Sequence, residues 1–430
     1  MIKLQKATQK GLHGELLVPG DKSISHRALM FGAIAEGKTE IKNFLTSADV
    51  LHTMGVFKSL GVDIDYNDER VLVNGRGLGH FNQPNQALDM GNSGTSTRLL
   101  MGLLSRQPFD LAIFGDASLS KRPLNRVNEP LKQMGAKFEL SQNNYLPGVI
   151  QANNTLHGIT YQMPVASAQV KSALLLAGMQ AEGETTVIAT IKSRDHTERM
   201  LQQFGGHIQI NGNQITVTQQ ERLLGQQVLV PSDISSAAFF IVAALITPHS
   251  EITLKNVGVN PTRIGVLTLL ERMGAIIEIN QHDTIGEPIA DITVRSQDLQ
   301  GINITAADIP SAVDELPILA LAATQASGDT VISGAEELRV KETDRIATVV
   351  TELKKLGANI EETSDGMIIH GGTPLQTKVS ATVNSHGDHR IGMMLAVAGL
   401  ITAGDVTLQD ELAMAVSYPE FLSDLKQVIS

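Results

Sequence analysis

The sequence predicts an α/β chain of six repeated units, grouped three and three into two domains. Three observations predict it. A helix-like segment ending in glycine recurs five times: Phe57-Lys-Ser-Leu-Gly61, Leu131-Lys-Gln-Met-Gly135, Leu201-Gln-Gln-Phe-Gly205, Leu270-Glu-Arg-Met-Gly274 and Leu353-Lys-Lys-Leu-Gly357. A polar segment leading into an apolar helix recurs six times, beginning at Asp21, Asn92, Ser167, Ser232, Ser311 and Gly387. A chain of 430 residues also exceeds the size at which one hydrophobic core keeps growing.

Each glycine-ended segment reads as the last turn of an amphipathic helix, with glycine as the left-handed residue that closes it. Strand-like segments follow, as at Ala275-Ile-Ile-Glu-Ile279 and Ala358-Asn-Ile360. The glycines fall roughly 70 to 80 residues apart, which sets the repeat length. The polar segments supply Ser, Asp and Asn, the side chains that cap helix N-termini. A fourth unit begins at Val230-Pro231-Ser232, giving domains of residues 20–230 and of residues 1–19 plus 231–430. The N-terminal strand is expected to cross over to the second domain, and the sixth unit is cut short near Phe421 to Ile429.

Composition narrows the function. The formal net charge of −11 argues against a general nucleic-acid binder, which would carry a basic footprint. The longest apolar run, Ala237 to Ile246, is far short of the roughly 20 residues that span a bilayer. Met1-Ile-Lys-Leu-Gln-Lys lacks an apolar signal core, so a cytoplasmic chain is expected. The absence of cysteine removes disulfides, thiolate metal sites and cysteine nucleophiles. Against the acidic total, Lys22, Arg27, Arg98, Lys171 and Arg390 all sit in the polar helix starts. Cations are unfavourable beside the positive end of a helix dipole, whereas anions bind there. These starts therefore read as sites for a small ligand with more than one negative group.

Other patterns carry less. Gly32-Ala-Ile-Ala-Glu-Gly-Lys-Thr39 fits a phosphate-loop spelling, but that loop needs a strand before it and a helix after it. Here the helix comes first, and the turn recurs without lysine at Gly183, Gly328 and Gly404. Gly75-Arg-Gly-Leu-Gly79 reads as a turn. His386, Asp388 and His389 lack further ligands and adjoin Arg390, so no metal is expected. No G-x-S-x-G elbow is present to support a serine hydrolase.

Seven segments in order resemble the 5-enolpyruvylshikimate-3-phosphate synthases. They are Gly20-Asp-Lys-Ser-Ile-Ser-His-Arg27, Gly91-Asn-Ser-Gly-Thr95, Lys121-Arg-Pro123, Ala166-Ser-Ala-Gln-Val-Lys-Ser172, Asp314-Glu-Leu-Pro317, Arg339-Val-Lys-Glu-Thr-Asp-Arg345 and Asp388-His-Arg390. The resemblance implies the enolpyruvyl transferase fold, an inside-out α/β barrel of βαβαββ-like units with inner helices, outer sheets and an active site in the interdomain cleft. It implies transfer of the enolpyruvyl group of phosphoenolpyruvate to the 5-hydroxyl of shikimate 3-phosphate, without cofactor, by a monomer that binds small molecules only. By the same resemblance, Lys22, Ser23, Arg27, Ser167, Gln169, Ser193, Asp314 and Lys341 hold shikimate 3-phosphate. Lys22, Gly94, Arg122, Gln169, Arg345 and Arg390 surround phosphoenolpyruvate, with arginine forks matching carboxylate and phosphate. Asp314, Glu342 and Lys22 carry the proton traffic, and which carboxylate protonates the methylene carbon stays open. Arg98, Lys171, Arg194 and His389 are supporting groups. Glycine at 94 implies sensitivity to glyphosate, which occupies the phosphoenolpyruvate site in this family. One departure is Val416 before Ser417-Tyr-Pro419, where some members carry lysine. The sister transferase acting on a UDP-N-acetylglucosamine acceptor typically uses a cysteine and a Lys-Asn pair; here Ser23 follows Lys22 and cysteine is absent.

Overall fold

The computed structural model describes residues 1–67, 70–142 and 144–429. The chain falls into two compact units. One comprises residues 20–230 with Ile285–Glu287, and the other residues 1–19, 231–284 and 288–430.

In the first unit, three buried helices, Lys22–Ile34, Gly94–Leu103 and Ala168–Gly178, each precede a strand. Their residues are apolar or small on nearly all sides, so no face suits solvent. The helices Ala48–Ser59, Asn125–Gln133 and His196–Gln203 keep polar outer faces. Three four-stranded sheets complete the unit, and each repeats one plan: a parallel first pair, then two antiparallel neighbours. Gly102 sets the crossing of two buried helices. A Cβ there would lie 2.1 Å from Ala173 O, so only glycine lets the Gly94 and Ala168 helices meet backbone to backbone.

The second unit repeats the plan around the helices Ile234–Ile246, Leu316–Gln325 and His389–Ile401. All but the last residue of Ile234–Ile246 is buried, as its unbroken apolar run requires. Phe240, Tyr418 and Phe421 pack with ring centroids 5.3 to 6.0 Å apart. Each such side chain contributes on the order of 1.5–3 kcal/mol by burial.

The strand arrangement departs from simple chain order. His13–Leu16 pairs in parallel with Glu251–Leu254 in the second unit, although the helix that follows it, Lys22–Ile34, belongs to the first. Gln227–Leu229 fills the matching place in the first unit, parallel to Glu40–Lys42. The truncated sixth repeat is completed by Ile2–Lys3, antiparallel to Thr407–Leu408. Every sheet is open, and among the described residues none closes into a barrel. The five helix-ending glycines, 61, 135, 205, 274 and 357, all have positive φ. Lys38 lies within the strand Glu36–Lys42, after the helix rather than before it, which removes the phosphate-loop reading.

Candidate active site

Each unit carries its own set of polar side chains at its buried helix starts. In the first unit, Asp21 caps the Lys22 helix by accepting from Ile24 N at 2.9 Å. Arg27, one turn along, is 3% exposed. It donates to Thr197 Oγ1 at 2.8 Å, Ser172 Oγ at 2.8 Å and Ser23 O at 2.9 Å. Burial pulls this guanidinium down to about 10, against Glu198 and Asp21, which pull it up. Its direct partners are neutral, so the charge is held in place without being cancelled by a bonded carboxylate.

The Gly102 crossing brings a second group together. Arg98 Nη1 donates to Gln169 Oε1 at 3.1 Å, and Gln169 Nε2 donates to Thr95 Oγ1 at 3.1 Å. Arg122 donates to Asn92 Oδ1 at 3.0 Å. Burial, then the neighbouring charges of Arg122 and Arg126, lower Arg98 to about 10. Among the described residues, no carboxylate pairs with Arg98 or Arg122. Like charges held this close in a partly dry site favour a bound anion.

Lys22 and Lys171 are already paired, with Asp49 at 3.3 Å and Glu198 at 2.5 Å. Lys171 also donates to Ser193 O at 3.2 Å, so it holds the Ser193 turn in place. Ser193 Oγ is buried without a hydrogen-bond partner. Ser167 caps its helix at a long 3.4 Å to Val170 N.

Behind these ends lies a buried chain that sequence reasoning missed. His26 Nδ1 is 2.8 Å from Thr53 Oγ1, which is 2.5 Å from Ser96 Oγ, and Ser96 donates to the cap Ser93 Oγ at 2.7 Å. Burial holds His26 down to about 3; Asp49 opposes this, while Lys22 and Arg27 reinforce it. Because the folded pKa lies below the unfolded 6.5, stability is complete above pH 6.5 and is lost as pH falls toward 3. The slope is at most about 1.4 kcal/mol per pH unit. His26→Asn should therefore reduce the stability lost between pH 7 and pH 5 by about 1–2 kcal/mol, read by urea unfolding. Equal losses in both proteins would mean that folded His26 takes up the proton.

In the second unit Arg345 is the hub. It is 1% exposed and begins the helix Arg345–Lys355. Its Nε is 2.8 Å from Asp388 Oδ2, its Nη2 is 2.7 Å from Glu342 Oε2, and its Nη1 is 3.4 Å from Asp314 Oδ1. Burial lowers its pKa, but Asp388, Glu342 and Asp314 together raise it well above the ordinary value. Asp388 also caps the next helix by accepting from Arg390 N at 2.9 Å. Arg390 Nη1 is 3.6 Å from Glu315 Oε1, and its Nε is buried without a hydrogen-bond partner.

Asp314, Glu342 and Arg345 thus meet, and Arg390 is tied to them through Asp388. Lys341 is not drawn in: it pairs with Glu337 at 3.0 Å. His386 is held by Glu352 at 2.8 Å, a contact that anchors the turn before Asp388. Val416 is exposed at the end of a short 3-10 turn. Asp388 and Arg263 are the main partners that the sequence reading left without roles. Asp388 could have been found from its place in a matched segment; nothing local marks Arg263.

Comparison with known proteins identifies the family. The family model for EPSP synthase (3-phosphoshikimate 1-carboxyvinyltransferase) matches residues 6–425. A 3-phosphoshikimate 1-carboxyvinyltransferase of Leuconostoc mesenteroides subsp. mesenteroides is 69% identical, over 100% of this chain and 99% of that protein. Another, of Geobacillus kaustophilus, is 54% identical over 97% and 98%. A solved EPSP synthase from Acinetobacter baumannii superposes with a TM-score of 0.90 at 44% identity, covering 100% of this chain and 98% of that one. The enolpyruvyl transferase NikO from Streptomyces tendae, 20% identical with a TM-score of 0.80 over 99% and 97%, shares the fold. Among the described residues no helix is long and apolar enough to cross a membrane. With the match running from residue 6 to residue 425, the chain belongs to the EPSP synthase (3-phosphoshikimate 1-carboxyvinyltransferase) family.

Proposed function

We propose that the two sets of side chains divide the work of this family's reaction. The reaction moves the enolpyruvyl group of phosphoenolpyruvate to the 5-hydroxyl of shikimate 3-phosphate and releases phosphate. Shikimate 3-phosphate is assigned to Lys22, Ser23, Arg27, Ser167, Gln169, Ser193, Asp314 and Lys341. Phosphoenolpyruvate is assigned to Lys22, Gly94, Arg122, Gln169, Arg345 and Arg390. The observation that carries this reading is the cation set Arg27, Arg98 and Arg122, held by neutral partners in an acidic chain. Arg27 is buried and Arg98 and Arg122 are partly buried, and a multiply anionic ligand offsets the cost of holding their charges there.

Addition needs a base at the attacking hydroxyl and an acid at the methylene carbon; elimination needs that proton removed as phosphate leaves. Asp314 and Glu342, both bonded to Arg345, are the carboxylates assigned to these transfers. Lys22 is assigned to the departing phosphate. The proposal takes the enzyme as a cytoplasmic monomer that needs no cofactor.

Gly94 yields a second test. A Cβ there would lie 2.6 Å from Arg98 Nη1 and 3.7 Å from Arg122 Nη1, so alanine must displace Arg98 and intrude on the anion site. Gly94→Ala should raise the glyphosate concentration for half-inhibition by roughly 10–200-fold, the discrimination available to one methyl group. Equal inhibition of both proteins would place glyphosate elsewhere.

The function itself is tested by phosphate release from phosphoenolpyruvate with shikimate 3-phosphate or a UDP-amino sugar as acceptor. Release with shikimate 3-phosphate alone supports the reading. Release only with the amino-sugar nucleotide, or with neither, refutes it.

A further inference from the structure

We propose that Arg263 is a positioning residue for Asp314. The proposal rests on the reading of Asp314 as a proton-transferring carboxylate.

Arg263 lies just before the helix Gly265–Arg272 and is 4% exposed. Its Nη2 donates to Ser235 Oγ at 2.7 Å and to Asp233 Oδ1 at 3.2 Å. Its Nη1 is 4.0 Å from Asp314 Oδ2. Ser235 in turn donates to Glu315, whose Oε1 faces Arg390 Nη1 at 3.6 Å. One guanidinium therefore links the starts of two buried helices, Ile234–Ile246 and Leu316–Gln325, and the chain of contacts ends on the third, His389–Ile401.

The geometry at Asp314 gives this linkage a chemical consequence. Its two oxygens are approached by different arginines, Oδ1 by Arg345 at 3.4 Å and Oδ2 by Arg263 at 4.0 Å. Two cations on opposite oxygens fix the plane of the carboxylate. A base works only when a lone pair is aimed at the proton it accepts, so the orientation of that plane bears on rate more than on binding. Without Arg263, Asp314 loses the cation at Oδ2 and keeps Arg345 at Oδ1. The planar fork matters as well as the charge, because a lysine cannot address Asp233, Ser235 and Asp314 from one rigid group.

The test is a double-mutant cycle on the full chain with Arg263→Gln, Asp314→Asn and the pair, each first checked for native thermal unfolding. Arg263→Gln should lower kcat by about tenfold or more, with KM for both substrates within about threefold of the parent. Because it acts through Asp314, adding it to Asp314→Asn should cost little further rate. Parental kcat in folded Arg263→Gln, or losses that multiply in the double variant, would overturn the proposal. Near-normal turnover in Asp314→Asn would instead refute the role of Asp314 itself. Should Arg263→Gln fail to fold, Arg263→Lys retains the buried charge. The proposal then requires a lowered kcat at unchanged KM, and parental kcat in that variant overturns it.

Discussion

Asp314→Asn should lower kcat by about 10²–10⁴-fold, the range lost when a positioned acid or base is removed. Asparagine keeps the shape of the side chain but accepts no proton at the pH of the reaction. The fold should survive, because Arg345 retains Asp388 at 2.8 Å and Glu342 at 2.7 Å after the change. Removing one of three carboxylates around a buried guanidinium weakens the pairing without abolishing it. Shikimate 3-phosphate should still bind through the first unit's cations, so its KM should move far less than kcat. Steady-state kinetics on the folded variant checks this, and near-normal turnover would remove Asp314 from the mechanism.

Arg345→Met should destabilise the protein by about 3–5 kcal/mol, the cost of breaking a buried pair from one side. Asp388 is fully buried and would lose its nearest cation while still capping the Arg390 helix. Thr343 Oγ1, 3.3 Å from Asp388 Oδ2, is neutral and cannot replace the charge. Phosphoenolpyruvate binding should weaken as well, since the change removes one assigned ligand and disturbs Arg390. Urea unfolding measures the first effect and the KM for phosphoenolpyruvate the second. A loss of stability under about 1 kcal/mol would mean that Asp388 and Glu342 find other compensation.

The repeats were legible because helix ends and helix starts are local events. Gly61, Gly135, Gly205, Gly274 and Gly357 recur because a helix followed by a strand needs a left-handed residue between them, and all five have positive φ. That a helix comes before Lys38 was likewise readable, and with it the failure of Lys38 as a phosphate-loop lysine. The resemblance drew attention to Arg345 and Asp314, but their direct contact is a product of folding, between residues on different helix starts. Lys171 was placed as a supporting group, and only the fold pairs it with Glu198. Lys341 was named by the resemblance alone, and the fold supplies its pairing with Glu337.

Sequence alone determined the repeat, the glycine-marked helix ends and the crowding of cations into helix starts, all of which depend on neighbours along the chain. Only the tertiary structure decided which charges meet. It placed His13–Leu16 beside Glu251–Leu254, returned Gln227–Leu229 to Glu40–Lys42, and set Arg263 against Asp314. Such pairings are chosen by burial and by the need to satisfy polar groups removed from water. That selection acts between segments far apart in the chain, where no local pattern records it.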